Sequence, residues 1–174
     1  MRRINKLDYF IGVFLSTIIN SSNGAPALFD ETENSKRIEF ATDTGDFNVY
    51  IKYSTKIVES KVSIKGERKK KLSWNISFSE KDYQILKDPF IIKNKKNLVC
   101  LVCTNEKLNV TYLAVLDYVD AMKCLERKTK SGNRRITITR IGSEHNFNFY
   151  GVGFKEHEYM QVALDPTGFL GLKE

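Results

Sequence analysis

At 174 residues the chain has the length of one domain, with room for one sizeable core but hardly for two. Hydrophobic residues make up 41% of it, including 11 Phe, 8 Tyr and 1 Trp, which excludes a disordered chain. The charge balance is basic, 28 Lys plus Arg against 21 Asp plus Glu for a net +7. That balance favours polyanionic partners, because neutralising phosphate is a direct use of surface cations.

Met1-Arg-Arg-Ile-Asn-Lys6, the apolar stretch behind it and Ala25-Pro-Ala27 imitate a secretory leader. Asp8, Ser16 and Thr17 interrupt the apolar run, however, and Leu7, Phe10, Ile11, Phe14, Leu15, Ile18 and Ile19 recur at helical spacing. Residues 7–19 are therefore expected to form a core helix that stops near Asn23-Gly24. The stretch is too short to span a bilayer, and no membrane is expected.

Ala25–Ser35 reads as a loop. Lys36–Thr42 and Asp46–Thr55 read as a hairpin around Asp43-Thr-Gly-Asp46, with Gly45 supplying a positive φ. In its second strand Phe47, Val49, Ile51 and Tyr53 alternate with Asn48, Tyr50 and Lys52, one buried face and one polar. A basic connection, Lys65-Gly-Glu-Arg-Lys-Lys-Lys71, leads to a strand Leu72–Phe78 whose apolar residues also alternate. Ser79 is placed to cap a short helix carrying Tyr83 and Leu86, and Pro89 lies beyond its end.

The continuous apolar run Leu98–Thr104 is expected as a central strand. A strand at Thr111–Leu116, a helix at Asp117–Leu125 and a hairpin Arg134–Ile141 with Asn146–Gly151 follow, then a short helix near His157–Leu164. The fold class is α+β, a mixed sheet with an N-terminal core helix and two shorter helices, in a single domain over residues 1–174.

Cys100-Leu-Val-Cys103 has the spacing of half a zinc site. On a strand, however, residues three apart point to opposite faces, so these two and Cys124 are read as core thiols. Unpaired thiols place the chain in a reducing compartment, the cytoplasm.

The order of a helix, a three-stranded meander, a second helix and a further strand over residues 7–104 resembles the restriction-endonuclease-like core, the PD-(D/E)xK nucleases. The segment Gly45-Asp-Phe-Asn-Val-Tyr-Ile-Lys-Tyr-Ser54 is similar to that family's motif strand, with Lys52 in the lysine position and Tyr50 where the family has an acid. The resemblance implies a Mg²⁺-dependent nuclease-like site, active or degenerate, in a subunit of a bacterial restriction or anti-phage system. With a hairpin centred on Thr44-Gly45, Glu39 is expected opposite Tyr50 and on the same side as Lys52. Asp46 lies at the end of that face and Asp30 in the preceding loop. Glu39, Asp46 and Lys52 are thus the candidate catalytic residues, and Glu39, Asp46 and Asp30 the candidate metal ligands. The alternative is a cross-strand Glu39–Lys52 ion pair on a solvated face.

DNA or RNA is the expected partner, through cations clustered in connections. These are Lys69, Lys70 and Lys71, the Lys93–Lys96 stretch, and Lys128, Lys130, Arg134 and Arg135, with Tyr53 or Tyr112 placed to stack. No serine-hydrolase, metalloprotease or Walker motif occurs, and Gly151-Val-Gly153 is a lone Gly-x-Gly. The competing reading is a non-enzymatic interaction module, docking onto a larger protein or a second copy.

Overall fold

The computed structural model describes residues 6–21, 25–32, 35–42, 45–88 and 90–169. The expected helix stop at Asn23-Gly24, the turn residues Asp43 and Thr44, and Pro89 lie outside them. The α+β class is as expected, but the strands divide between two sheets. Helix α1 (Lys6–Ser21) is followed by β1 (Ala25–Thr32), β2 (Ser35–Thr42), β3 (Gly45–Ser54), β4 (Ile57–Ile64) and β5 (Glu67–Phe78). After these come α2 (Glu80–Lys87), β6 (Lys96–Thr104), β7 (Thr111–Asp117), α3 (Tyr118–Cys124), β8 (Arg134–Ile141) and β9 (Asn146–Tyr150). A 3-10 turn (Glu156–Glu158), β10 (Met160–Ala163) and α4 (Pro166–Phe169) complete the order.

The first sheet has the order β1-β2-β3-β6-β7, antiparallel except for β3 beside β6. The second is antiparallel throughout in the order β10-β9-β8-β5-β4. The apolar stripe of α1 (Leu7, Phe10, Ile11, Phe14, Ile18) covers one face of the first sheet, against Ile38, Phe47, Val49, Cys100 and Val102 among others. The opposite face meets the second sheet, where Tyr50, Leu101, Cys103 and Leu116 share a core with Trp74, Ile76, Ile138 and Phe149. The layers are helix, sheet, sheet. Trp74 and Cys103 are fully buried, and the Trp74 indole N–H donates to the Thr104 carbonyl at 2.8 Å.

Four expectations need correction. Ala25–Thr32 is an edge strand rather than a loop; its register against β2 shifts between Asp30 and Thr32, and such an irregular edge carries a weak alternation signal. Leu72–Phe78 is not the third strand of a meander, because both sides of β3 are taken by β2 and β6. The basic connection is itself strand: β4 and β5 pair from Ile57↔Trp74 to Ile64↔Glu67 around a turn at Lys65 and Gly66, with φ of 50° and 83°, as a tight type I′-like hairpin requires. The tail forms the 3-10 turn and β10 rather than a helix over His157–Leu164, a run too short for its periodicity to be read.

The β2–β3 register also differs. Thr42 pairs with Gly45, so Glu39 lies opposite Asn48, and Tyr50 opposite Arg37. Gly45, at φ 143°, opens β3 rather than sitting inside the turn. The pairing moves by an even number of residues, so the faces are preserved. Glu39, Asn48, Tyr50 and Lys52 still share one side.

Cys100 and Cys103 fall in two different cores, as alternation on a strand demands, so the single core expected from the length is instead two, one on each face of the first sheet. All three thiols are free and buried, and burial pushes each of them up, Cys124 to about 12. Gly151 is explained by packing. A Cβ there would lie 2.2 Å from the Cys124 carbonyl oxygen, so the end of α3 and the end of β9 approach as only glycine allows.

Candidate nucleic-acid interface and the buried lysine cluster

Alternation on β3 directs Asn48, Tyr50 and Lys52 to the side covered by α2 and the segment before β6. Ser79 caps α2, and Asp82, three residues on, completes a capping box: its carboxylate accepts the Ser79 backbone N–H at 2.8 Å, while the Asp82 N–H donates to the Ser79 hydroxyl at 3.1 Å. The same carboxylate accepts the Ser79 hydroxyl at 2.7 Å, the Lys52 ammonium at 2.9 Å and the Tyr50 hydroxyl at 2.8 Å. Lys52 also lies 5.4 Å from the centre of the Phe78 ring. Burial pushes the Asp82 carboxyl up, but Lys52 and the Ser79 and Tyr50 hydroxyls outweigh it and hold the group at about 2.

Tyr50, Lys52 and Asp82 are 0%, 6% and 3% exposed. The ammonium and carboxylate are paired with each other and buried, and no phosphodiester reaches them without dismantling the contact between α2 and β3. Glu39 is engaged elsewhere, with Lys95 at 2.5 Å and Arg37 at 3.5 Å. The expected Glu39–Lys52 pair is thus replaced by pairing of Glu39 with Lys95 and Arg37 and of Lys52 with Asp82. Asn48 donates to the Phe90 carbonyl and to Asn97 Oδ1, the latter at 2.9 Å, which ties the segment before β6 to β3. Asp46 is exposed at the turn end of the same face. Asp30 is in β1 opposite Lys36, and its side chain lies outside the described residues. Among the described residues no group of three His, Cys, Asp or Glu side chains is placed to hold a metal ion. Asp82 is the residue that sequence reasoning missed. Its capping role was legible in Ser79-x-x-Asp82, but its contact with a lysine 30 positions earlier was not.

The basic residues separate into two kinds. Lys128 and Arg134 both reach Glu80, at 3.0 and 2.6 Å. Arg134 is only 8% exposed and its guanidinium lies 3.5 Å from the centre of the Tyr83 ring. Gln84, Lys128 and Arg134 hold the Glu80 carboxyl at about 2. These two cations fasten β8 and the preceding loop to α2. Lys130 is exposed, and Arg135 is partly exposed on the outer face of the second sheet, opposite Ser77.

Lys69, Lys70 and Lys71 belong to the β4–β5 hairpin. Beyond the Lys71↔Ile141 pair, β5 has no further partner residue on β8, and Gly142 donates a last hydrogen bond to the Lys70 carbonyl at 2.8 Å, so Lys61–Ile64 and Glu67–Lys70 form a two-stranded ribbon past the end of β8. Between residues 56 and 71 seven basic side chains (Lys56, Lys61, Lys65, Arg68, Lys69, Lys70, Lys71) stand against two acids, Glu59 and Glu67. Lys61 and Lys70 are direct cross-strand partners. One exposed bridge, Lys70 to Glu59 at 2.9 Å, offsets part of this charge.

The expected stacking aromatics are partly buried and packed against the cores. Tyr53 meets Phe10 at 4.5 Å between ring centres, and Tyr112 meets Trp74 at 5.8 Å and Phe147 at 5.7 Å. Among the described residues no helix is long and apolar enough to cross a membrane. No family model matches the chain, and no curated protein or solved structure matches it either.

Proposed function

We propose that the protein binds nucleic acid, holding it by its phosphates along the β4–β5 hairpin. One observation carries this reading: two lysines, Lys61 and Lys70, stand directly opposite each other on a ribbon that also bears Lys65, Arg68, Lys69 and Lys71. Like charges in direct cross-strand pairing destabilise a sheet, and a polyanion relieves that repulsion while releasing its own counterions. A two-stranded ribbon is also narrow enough to follow a groove or a phosphate backbone. The reading is one of binding rather than cleavage, since Lys52 is sealed against Asp82 and Glu39 is engaged by Lys95. The class of partner rests on the basic hairpin, and no catalytic step is taken from the nuclease resemblance.

The test is fluorescence anisotropy with labelled DNA and RNA at 50 and 200 mM salt, on the wild-type chain and on the triple variant Lys61→Gln, Lys69→Gln, Lys70→Gln. Wild type binds with a steep salt dependence. Loss of three phosphate contacts flattens the slope of log K against log salt by about 2–3 units. Equal slopes for the two proteins, or no binding at 50 mM salt, would overturn the reading.

A further inference from the structure

We infer that the outer face of the second sheet receives a single strand, with one base lodged in a recess beside Tyr159; this rests on the nucleic-acid reading above. The recess is about 220 Å³ and is lined by Lys71, Thr139, Asn148, Glu156, Tyr159 and Gln161, together with Ile141. That is below the ~300–1,000 Å³ of a pocket enclosing a cofactor or a drug-sized ligand, and it suits one planar ring.

Its parts are pre-organised. Tyr159 stacks on Tyr150 with ring centres 3.9 Å apart and planes 7° from parallel, so its orientation is fixed before any ligand arrives. Gln161 donates to Asn148 at 3.0 Å across the β9–β10 pair, which places two side-chain amides at the floor. Amides carry donors and acceptors together, the pattern that base edges present.

Charge gives the strand its path. Lys69 and Lys71 are two apart on β5 and fall on the same face as Ser73, Asn75 and Ser77 by alternation. Of the hairpin cations, Lys69 therefore leads through Lys71 into the wall of the recess, while Lys61 and Lys70 lie on the opposite face with Leu72 and Trp74. At the far end Arg135 lies two positions along β8 from Thr137, the partner of Tyr150. Glu156, on the wall away from the hairpin, repels phosphate and accepts hydrogen bonds from exocyclic amines. The backbone accordingly runs on the lysine side, and the base points toward Glu156 and Gln161.

This arrangement selects single strands, because only an unstacked base offers its ring to a tyrosine and its edge to amides at once. The experiment titrates a labelled single-stranded oligonucleotide, its duplex and, as competitor, inorganic polyphosphate. The proteins are wild type, Tyr159→Ala, Tyr159→Leu and the hairpin triple variant, each with a melting curve. Tyr159→Ala and Tyr159→Leu are expected to weaken single-strand binding by roughly 5- to 150-fold with the salt slope unchanged, while duplex affinity moves less than two-fold. Tyr159→Leu keeps bulk over Tyr150, so a loss in a variant that melts like wild type reports the ring and not the fold. If both Tyr159 variants bind the single strand as wild type does while the hairpin variant fails, the inference falls and the hairpin reading stands. The inference falls in the same way if polyphosphate competes as well per charge as the single strand. If wild type binds neither strand form, both readings fall together.

Discussion

Lys52 and Lys61 sit nine residues apart and meet opposite fates. Lys52 is buried, and its ammonium is matched by one carboxylate that also takes two hydroxyls and a backbone N–H. Lys61 is exposed on the hairpin and faces Lys70, which Glu59 bridges at 2.9 Å. Burial obliges a charge to be paired, because an isolated ion in a low-dielectric interior is too unfavourable to keep. Exposure imposes no such demand, so a like-charge pair persists at a small loss of stability and stays available to a partner. Basic residues near one another in sequence therefore divide into those that build the fold and those that remain for binding, and burial makes the division.

The largest test of that division is Asp82→Ala. It strands Lys52 and Tyr50 and removes the carboxylate half of the capping box of α2, so unfolding free energy should drop by about 3–5 kcal/mol; urea melts read it, and a drop below about 1 kcal/mol would mean the cluster behaves as a surface pair. Arg134→Ala comes next, with an expected loss of about 2 kcal/mol from a desolvated cation over Tyr83 and an unchanged salt slope for nucleic-acid binding. Arg135→Ala, the adjacent residue, should do the reverse and flatten the slope by about one unit with little effect on melting. A slope change in the first and not in the second would invert the assignment.

Acid provides a comparable handle. The folded Asp82 value of about 2 lies below the 3.8 of a free carboxyl, so its contribution is fully present above about pH 4 and lost as pH falls through 2. That contribution amounts to about 2 kcal/mol, and urea midpoints between pH 5 and pH 2 should show it in wild type and lose it in Asp82→Asn. The smallest expected effect is Lys61→Gln. Relief of the repulsion with Lys70 should raise stability by a few tenths of a kcal/mol, about 0.2–0.5, while weakening nucleic-acid binding. A variant that binds as well as wild type would remove Lys61 from the interface.

The sequence alone determined what local rules encode. The seven-residue apolar stripe placed α1, the alternation of Leu72, Trp74, Ile76 and Phe78 placed the core half of β5, and the unbroken run to Thr104 marked β6 as a strand buried on both faces. Ser79 marked the start of α2, and alternation kept Glu39, Tyr50 and Lys52 on one side even though the register differs from the expected one. Periodicity and capping depend on neighbours a few residues away, which the chain carries within itself. Tertiary structure decided everything that depends on distant partners. It gave β3 to β6 instead of β5, joined Lys52 to Asp82 and Glu39 to Lys95, pressed Gly151 against Cys124, and set Tyr159 on Tyr150 over an open face. Each is a competition among groups of the same local pattern, settled by which packing buries the most apolar surface while leaving no buried charge unmatched.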